Sequence, residues 1–263
     1  MSGDASRLAV LKRAEALAGA QSWAAAIALC DEALASDGES AAAWNLKGFC
    51  LRALGRKEES LSAFKRARLH LPVYAPIRYN LGTALRENGD LKGALAEFEE
   101  ALKLDPADLQ ARLSRAVVKL DLGDEAGARA DFDGCLRRDP ALLDGPALDA
   151  AEAFASEGRW TEALFVARKV LERAAKSARA WSIAGRALAG LDKAQEAERS
   201  LDEALLLAPE DAPALSARAA LRLRRKDETG ALRDLEAMLK VLPAGPERDA
   251  LLKEARILRG ETP

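Results

Sequence analysis

Trp44-Asn45-Leu46-Lys47-Gly48 and Arg78-Tyr79-Asn80-Leu81-Gly82 fall one above the other when the chain is shifted against itself. The match runs on: Gly55 meets Gly89, Phe64 meets Phe98, Ala67 meets Ala101 and Pro72 meets Pro106, an offset of 34 residues. Continuing at that step gives Gly123, Phe132 and Pro140; then, after one extra residue at Leu143, Gly158 and Ala163; then Trp181, Gly185, Ala197, Ala204 and Pro209, with the last unit ending beyond Pro243. Stepping back gives Ala14, Trp23, Ala26 and Ala33. Seven units follow: 7–40, 41–74, 75–108, 109–142, 144–177, 178–211 and 212–245. A fixed period of this length marks a supersecondary element that cannot bury its apolar face alone and stacks on its neighbours.

Composition says which element. The 263 residues include 58 Ala and 43 Leu but only 11 Val plus Ile, so strong helix formers dominate and the β-branched residues of sheets are scarce. Each position in the unit has its own reason. The eighth carries Ala14, Gly48, Gly82, Ala116, Ala151, Gly185 and Ala219, and the twentieth Ala26, Ser60, Ala94, Ala128, Ala163, Ala197 and Ala231. Small residues at both sites let two helices approach closely. Phe64, Phe98 and Phe132, with Leu201 and Leu235 later, are expected to fill the wider space between consecutive hairpins. Gly55, Gly89, Gly123 and Gly158 sit where a first helix ends in a left-handed residue, and Pro72, Pro106, Pro140, Pro209 and Pro243 stop the second helix.

The pattern of Trp, Leu-Gly, Gly, Ala, Phe, Ala and Pro resembles the tetratricopeptide repeat, a helix-turn-helix unit. Residues 44–72 and 79–106 match it best. The resemblance implies an all-α, right-handed α-solenoid running over the whole chain, with first helices lining a concave face. Residues 247–259, with Leu251, Ala255 and Leu258 on one stripe, are expected to cap the last unit. Residues 1–3 and 260–263 are expected to fray. The extra residue at Leu143 and Gly145-Pro146 mark a junction that is either a hinge or a harmless insertion in a surface turn.

The resemblance also implies that positions 2, 5, 6, 9 and 12 of each unit face a ligand. In units two to four these include Asn45, Phe49 and Arg52; Tyr79, Asn80, Thr83 and Arg86; and Leu113, Ser114 and Val117. Amides for a peptide backbone, arginines for a carboxylate and rings for an apolar side chain make a peptide groove. The alternative is that the rings pack inward and the arginines are solvated. Members of the family that grip the C-terminal carboxylate of heat-shock chaperones use Lys and Asn, then Asn, then Lys and Arg. Here Asn45 and Phe49, Asn80, and Gln110 and Ser114 stand there, one match in five, so chaperone binding is not expected. Arg218, Arg222, Arg224, Arg225 and Lys226 form a second cluster, either an anion-binding patch for an acidic partner or phosphate or cations complementing a helix C-terminus.

Other classes are disfavoured. The single histidine, His70, and the absence of phosphate-loop, zinc-protease or nucleophile-elbow motifs leave no catalytic or metal design, so neither an enzyme nor a cofactor is expected. A formal net charge of −2 offers no field for nucleic acid. No apolar run is long enough to span a bilayer. Cys30, Cys50 and Cys135, an odd number without C-x-x-C spacing, suit reduced thiols in a cytoplasmic protein. The Ala, Leu, Arg bias resembles a bacterial chain. The expected role is a non-catalytic scaffold or adaptor whose partner is another protein, with self-assembly through the solenoid ends or the convex face as the alternative.

Overall fold

The computed structural model describes residues 2–138 and 145–260. Among these residues the chain forms fifteen helices and no strand. Contacts divide it into two compact units, Met1–Gly134 and Cys135–Pro263. The first holds α1 (Ser2–Gly19), α2 (Trp23–Ser36), α3 (Ala41–Ala53), α4 (Lys57–His70), α5 (Ala75–Glu87), α6 (Leu91–Leu104) and α7 (Leu109–Asp121), and most of α8 (Glu125–Arg138). The second holds α9 (Pro146–Ser156), α10 (Trp160–Leu171), α11 (Ala178–Gly190), α12 (Ala194–Leu207), α13 (Ala212–Arg224), α14 (Glu228–Val241) and α15 (Pro246–Leu258). Residues 2 and 3, expected to fray, begin α1. The expectations on Met1, Pro140, Leu143 and residues 261–263 lie outside the described residues.

Each hairpin is punctuated by the same few devices. Ser40, Asp108, Ser177 and Asp211, the last residue of their 34-residue units, cap the following helix by accepting the amide three residues on. Asp90, Asp124 and Asp227 do the same for second helices through Gly93, Gly127 and Gly230. The first helix always ends in a left-handed residue at position 15. Gly55, Gly89, Gly123 and Gly158 supply it at φ of 73°, 83°, 81° and 75°, whereas Gln21, Asp192 and Lys226 adopt it at 59°, 57° and 62° despite their side chains. The next amide then reaches back five residues, as Arg56 N does to Leu51 O at 2.9 Å and Asp227 N to Arg222 O at 2.9 Å, satisfying carbonyls the helix end would orphan.

The turn between units is closed from position 4 by two different chemistries. Trp44 and Trp181 donate their indole N–H to the carbonyls of Gly38 and Ala175, at 2.8 and 2.9 Å. Arg78 and Arg112 donate to Pro72 and Pro106 at 2.9 and 2.7 Å. In every case the acceptor stands six residues earlier.

Packing follows the small residues. All seven at position 8 and all seven at position 20 are buried. Phe64, Phe98 and Phe132 are fully buried, but Phe64 and Phe98 are not confined to the space between hairpins as the spacing suggests. Phe64 lies across its own hairpin against Gly48 while also joining Leu81, Leu85, Phe98 and Val118 of the next two. Burial of each such ring contributes about 2–3 kcal/mol. Within the first unit α1, α3, α5 and α7 touch one another in turn, as α9, α11 and α13 do in the second. The second helices have no mutual contact of comparable extent among the described residues, so each unit curves with its first helices on the inside. α15 packs on α14, with Ala255 of the expected stripe buried and Leu251 and Leu258 half-buried.

Candidate functional site

The inner face of the first unit brings several expected groove residues together. Asn80 on α5 donates its amide to the side-chain oxygen of Asn45 on α3 at 2.9 Å, joining two adjacent hairpins. One turn along α3, the Phe49 ring is 38% exposed and meets Trp23 edge-on at 5.8 Å, with the Arg52 guanidinium 5.8 Å from its centroid. Asn45, Phe49 and Arg52 thus present an amide, a ring and a cation on one face, as the i, i+4, i+7 spacing of a helix requires.

Other expected groove residues have different work. Tyr79 packs its ring against Phe98 at 5.9 Å and belongs to the core around Ala101, Leu102 and Ala111. Leu113 and Val117 are 5% and 4% exposed, so they are core residues rather than groove walls. Apolar side chains at these positions are stabilised more by burial than by facing a solvated groove. Thr83 donates its hydroxyl to the Tyr79 carbonyl at 3.0 Å, and Ser114 is half-buried. Arg86 donates to Asp121 of α7 at 2.9 Å, and that carboxylate is only 7% exposed, so Arg86 holds the stack together.

The basic cluster near the end of α13 is compensated. Arg222 bonds Asp234 at 2.8 Å and the Gly230 carbonyl at 3.2 Å. Arg225 pairs with Glu198, and Arg224 lies 3.5 Å from Asp192. Lys226 is the exposed left-handed residue of the turn. Among the described residues no group of His, Cys, Asp or Glu is placed to hold a metal ion, and no helix is long and apolar enough to cross a membrane.

A second inner-face feature lies between α11 and α13, a cavity of about 420 Å³ lined by Trp160, Arg186, Gly190, Ser216, Ala220 and Arg224 among others. Arg186 and Ala220 stand at position 9 of units six and seven, and Ser216 at position 5 of unit seven. The rule applied to units two to four therefore points to this cavity as well when it is carried further along the chain. Trp160, from a second helix, is outside that rule.

The tetratricopeptide repeat family model matches residues 11–70 and 79–142, a range that takes in the two hairpins with the best period of 34 and extends to the units on either side of them. The chain is a tetratricopeptide repeat protein. Its fold is shared with a tetratricopeptide repeat protein from Parabacteroides merdae, 16% identical, with a TM-score of 0.62 over 97% of this chain and 99% of that one. It is shared also with PilW, a type IV pilus biogenesis factor, 20% identical, with a TM-score of 0.59 over 80% and 97%. Pseudomonas aeruginosa pilF is 18% identical, with a TM-score of 0.58 over 84% and 100%. At these identities the likeness is one of fold alone. No curated protein matches the sequence. As a tetratricopeptide repeat protein, the chain has the architecture of a scaffold for protein–protein interaction, and proteins of this kind are typically non-catalytic.

Proposed function

We propose that this tetratricopeptide repeat protein is a non-catalytic adaptor that holds a peptide or helix of a partner protein along the inner face of α3, α5 and α7. The observation that carries the reading is the Asn45–Asn80 amide pair beside the Phe49–Arg52 stack. Asn45 accepts in that pair and keeps its two N–H donors for a peptide carbonyl. Arg52 keeps its guanidinium N–H groups for a carboxylate while its face rests on Phe49, whose exposed ring takes an apolar side chain. Thr83 and Ser114 continue the polar line. Arg86, committed to Asp121, shapes the groove rather than gripping the ligand.

The test is affinity capture from native cell extract with the wild type and an Asn45→Ala/Arg52→Ala variant in parallel, quantified by mass spectrometry. A protein retained by the wild type and lost by the variant is the expected result, checked by titrating that purified protein. Identical capture by both would remove the groove from the binding surface.

A further inference from the structure

The cavity of the second unit has a composition of its own. Its wall is the Trp160 ring, seated so close to Gly190 that a Cβ there would stand 2.4 Å from ring carbons. Its floor is Ala189, Ala217 and Ala220, and its charged lining side chains are two cations, Arg186 and Arg224. Arg186 spends one terminal nitrogen on Glu152 at 2.7 Å. Arg224 is 68% exposed and lies 3.5 Å from an Asp192 that is 91% exposed, a loose surface pair that a better-placed carboxylate displaces at little cost.

The cavity is also long. Its lining runs from Pro213 to Arg224, nearly the whole of α13. That is about 16 Å at the helical rise, which an extended chain of about five residues covers and a small acid does not.

We propose that this cavity binds an acidic, apolar peptide segment of a partner protein, with an apolar side chain between Trp160 and the alanine floor and flanking carboxylates on Arg186 and Arg224. The site is distinct from the groove on α3 and α5. It shares with that reading only the premise that the chain binds proteins.

The test uses the full chain and fluorescein-labelled eight-residue peptides with the cores Asp-Phe-Glu-Leu, Asn-Phe-Gln-Leu and Asp-Ser-Glu-Ser, followed by anisotropy at low salt. The first binds, and the amide and the serine peptides each bind at least about tenfold more weakly, having lost the charge-assisted bonds or the apolar contact. Arg186→Gln/Arg224→Gln weakens the acidic peptide by at least the same factor, and Ala220→Glu abolishes its binding. Arg224→Gln alone, at an exposed side chain, keeps the test open should the double variant fail to fold by circular dichroism. Arg186→Gln/Arg224→Gln leaves Asn45, Phe49 and Arg52 intact, so capture of a partner through the first-unit groove persists in that variant and separates the two sites. Equal binding of the acidic and amide peptides, unchanged binding by the arginine variants, or no binding of any peptide would each overturn the proposal.

Discussion

The Phe64 ring lies over Gly48 with no room for a methyl group between them: a Cβ at position 48 would stand 2.8 Å from two ring carbons. Gly82 and Phe98 repeat the relationship at 2.9 Å. Gly82→Leu therefore forces the two helices of its hairpin apart and is expected to cost about 3 kcal/mol, read as a lower urea midpoint. Because a solenoid's stability sums neighbouring interfaces, the loss should spread first to α3–α7 in hydrogen exchange. In the milder Gly48→Ala variant, Phe64→Leu should recover part of the loss, since Ala219 already stands opposite Leu235 at the same two positions. Strict additivity of the two substitutions would show that the contact is not shared.

Lys226 and Asp192 occupy the left-handed position that glycine fills in four other hairpins. A side chain there strains the backbone by about 1–2 kcal/mol, of which a glycine returns part as extra freedom in the unfolded chain. Lys226→Gly and Asp192→Gly should each raise stability by about 0.5–1 kcal/mol and raise Tm. Gly89→Ala should lower it by about 1 kcal/mol.

Asp131 and Asp234 are buried carboxylates with one shared design. Asp131 takes a two-pronged bond from Arg115 and a third from Lys119; Asp234 takes the same from Arg218 and Arg222. Asp234→Ala leaves two half-buried arginines without their central partner and should cost about 3 kcal/mol in chemical denaturation. Asp234→Leu with Arg218→Met, by exchanging the pair for apolar packing, should cost much less than either alone.

The two arginines at position 12 are not equivalent. Arg86 neutralises an Asp121 that is 7% exposed, whereas Arg52 rests on a Phe49 open to solvent. Arg86→Ala should lower stability by about 1–2 kcal/mol and Arg52→Ala by about 0.5 kcal/mol, measured by thermal unfolding. A fall of the same size for both would mean that Asp121 does not depend on Arg86.

Burial, with the neighbouring Cys50 and Asp31 adding to it, pushes the Cys30 thiol up to about 12, and burial raises Cys50 as well. Neither forms much thiolate near pH 8, so both should resist Ellman's reagent in the native protein and react promptly in denaturant. Fast labelling of Cys30 in the folded state would contradict its burial.

The hairpins were legible because a period of 34 places each residue in the same environment in every unit. Position 8 is buried and small seven times over, and position 15 is left-handed even where Gln21, Asp192 or Lys226 stands in glycine's place. These are local facts, set by helix geometry and the turn that joins two helices. The buried carboxylates went unread, although Arg115 and Asp131 recur sixteen residues apart as Arg218 and Asp234, because one sequence does not tell a buried charge from the many on solvated faces. The groove was only partly legible for a related reason. Asn45 and Asn80 share a face by spacing, but whether position 5 of a unit lines the groove or packs inward depends on the next hairpin, so Tyr79 and Leu113 joined the core while Asn45 stayed near the surface.

The sequence by itself determined the all-helical repeat, its period, its turns and its small-residue contacts, since each follows from interactions within one unit. Only the tertiary structure decided which charges were committed and which stayed available. Arg86 reaches Asp121 across 35 residues, Arg186 reaches Glu152 across 34, and Trp160 closes a cavity against Gly190. Those pairings exist only once hairpins stack, because the distance between side chains on neighbouring units is set by packing and not by the spacing along the chain.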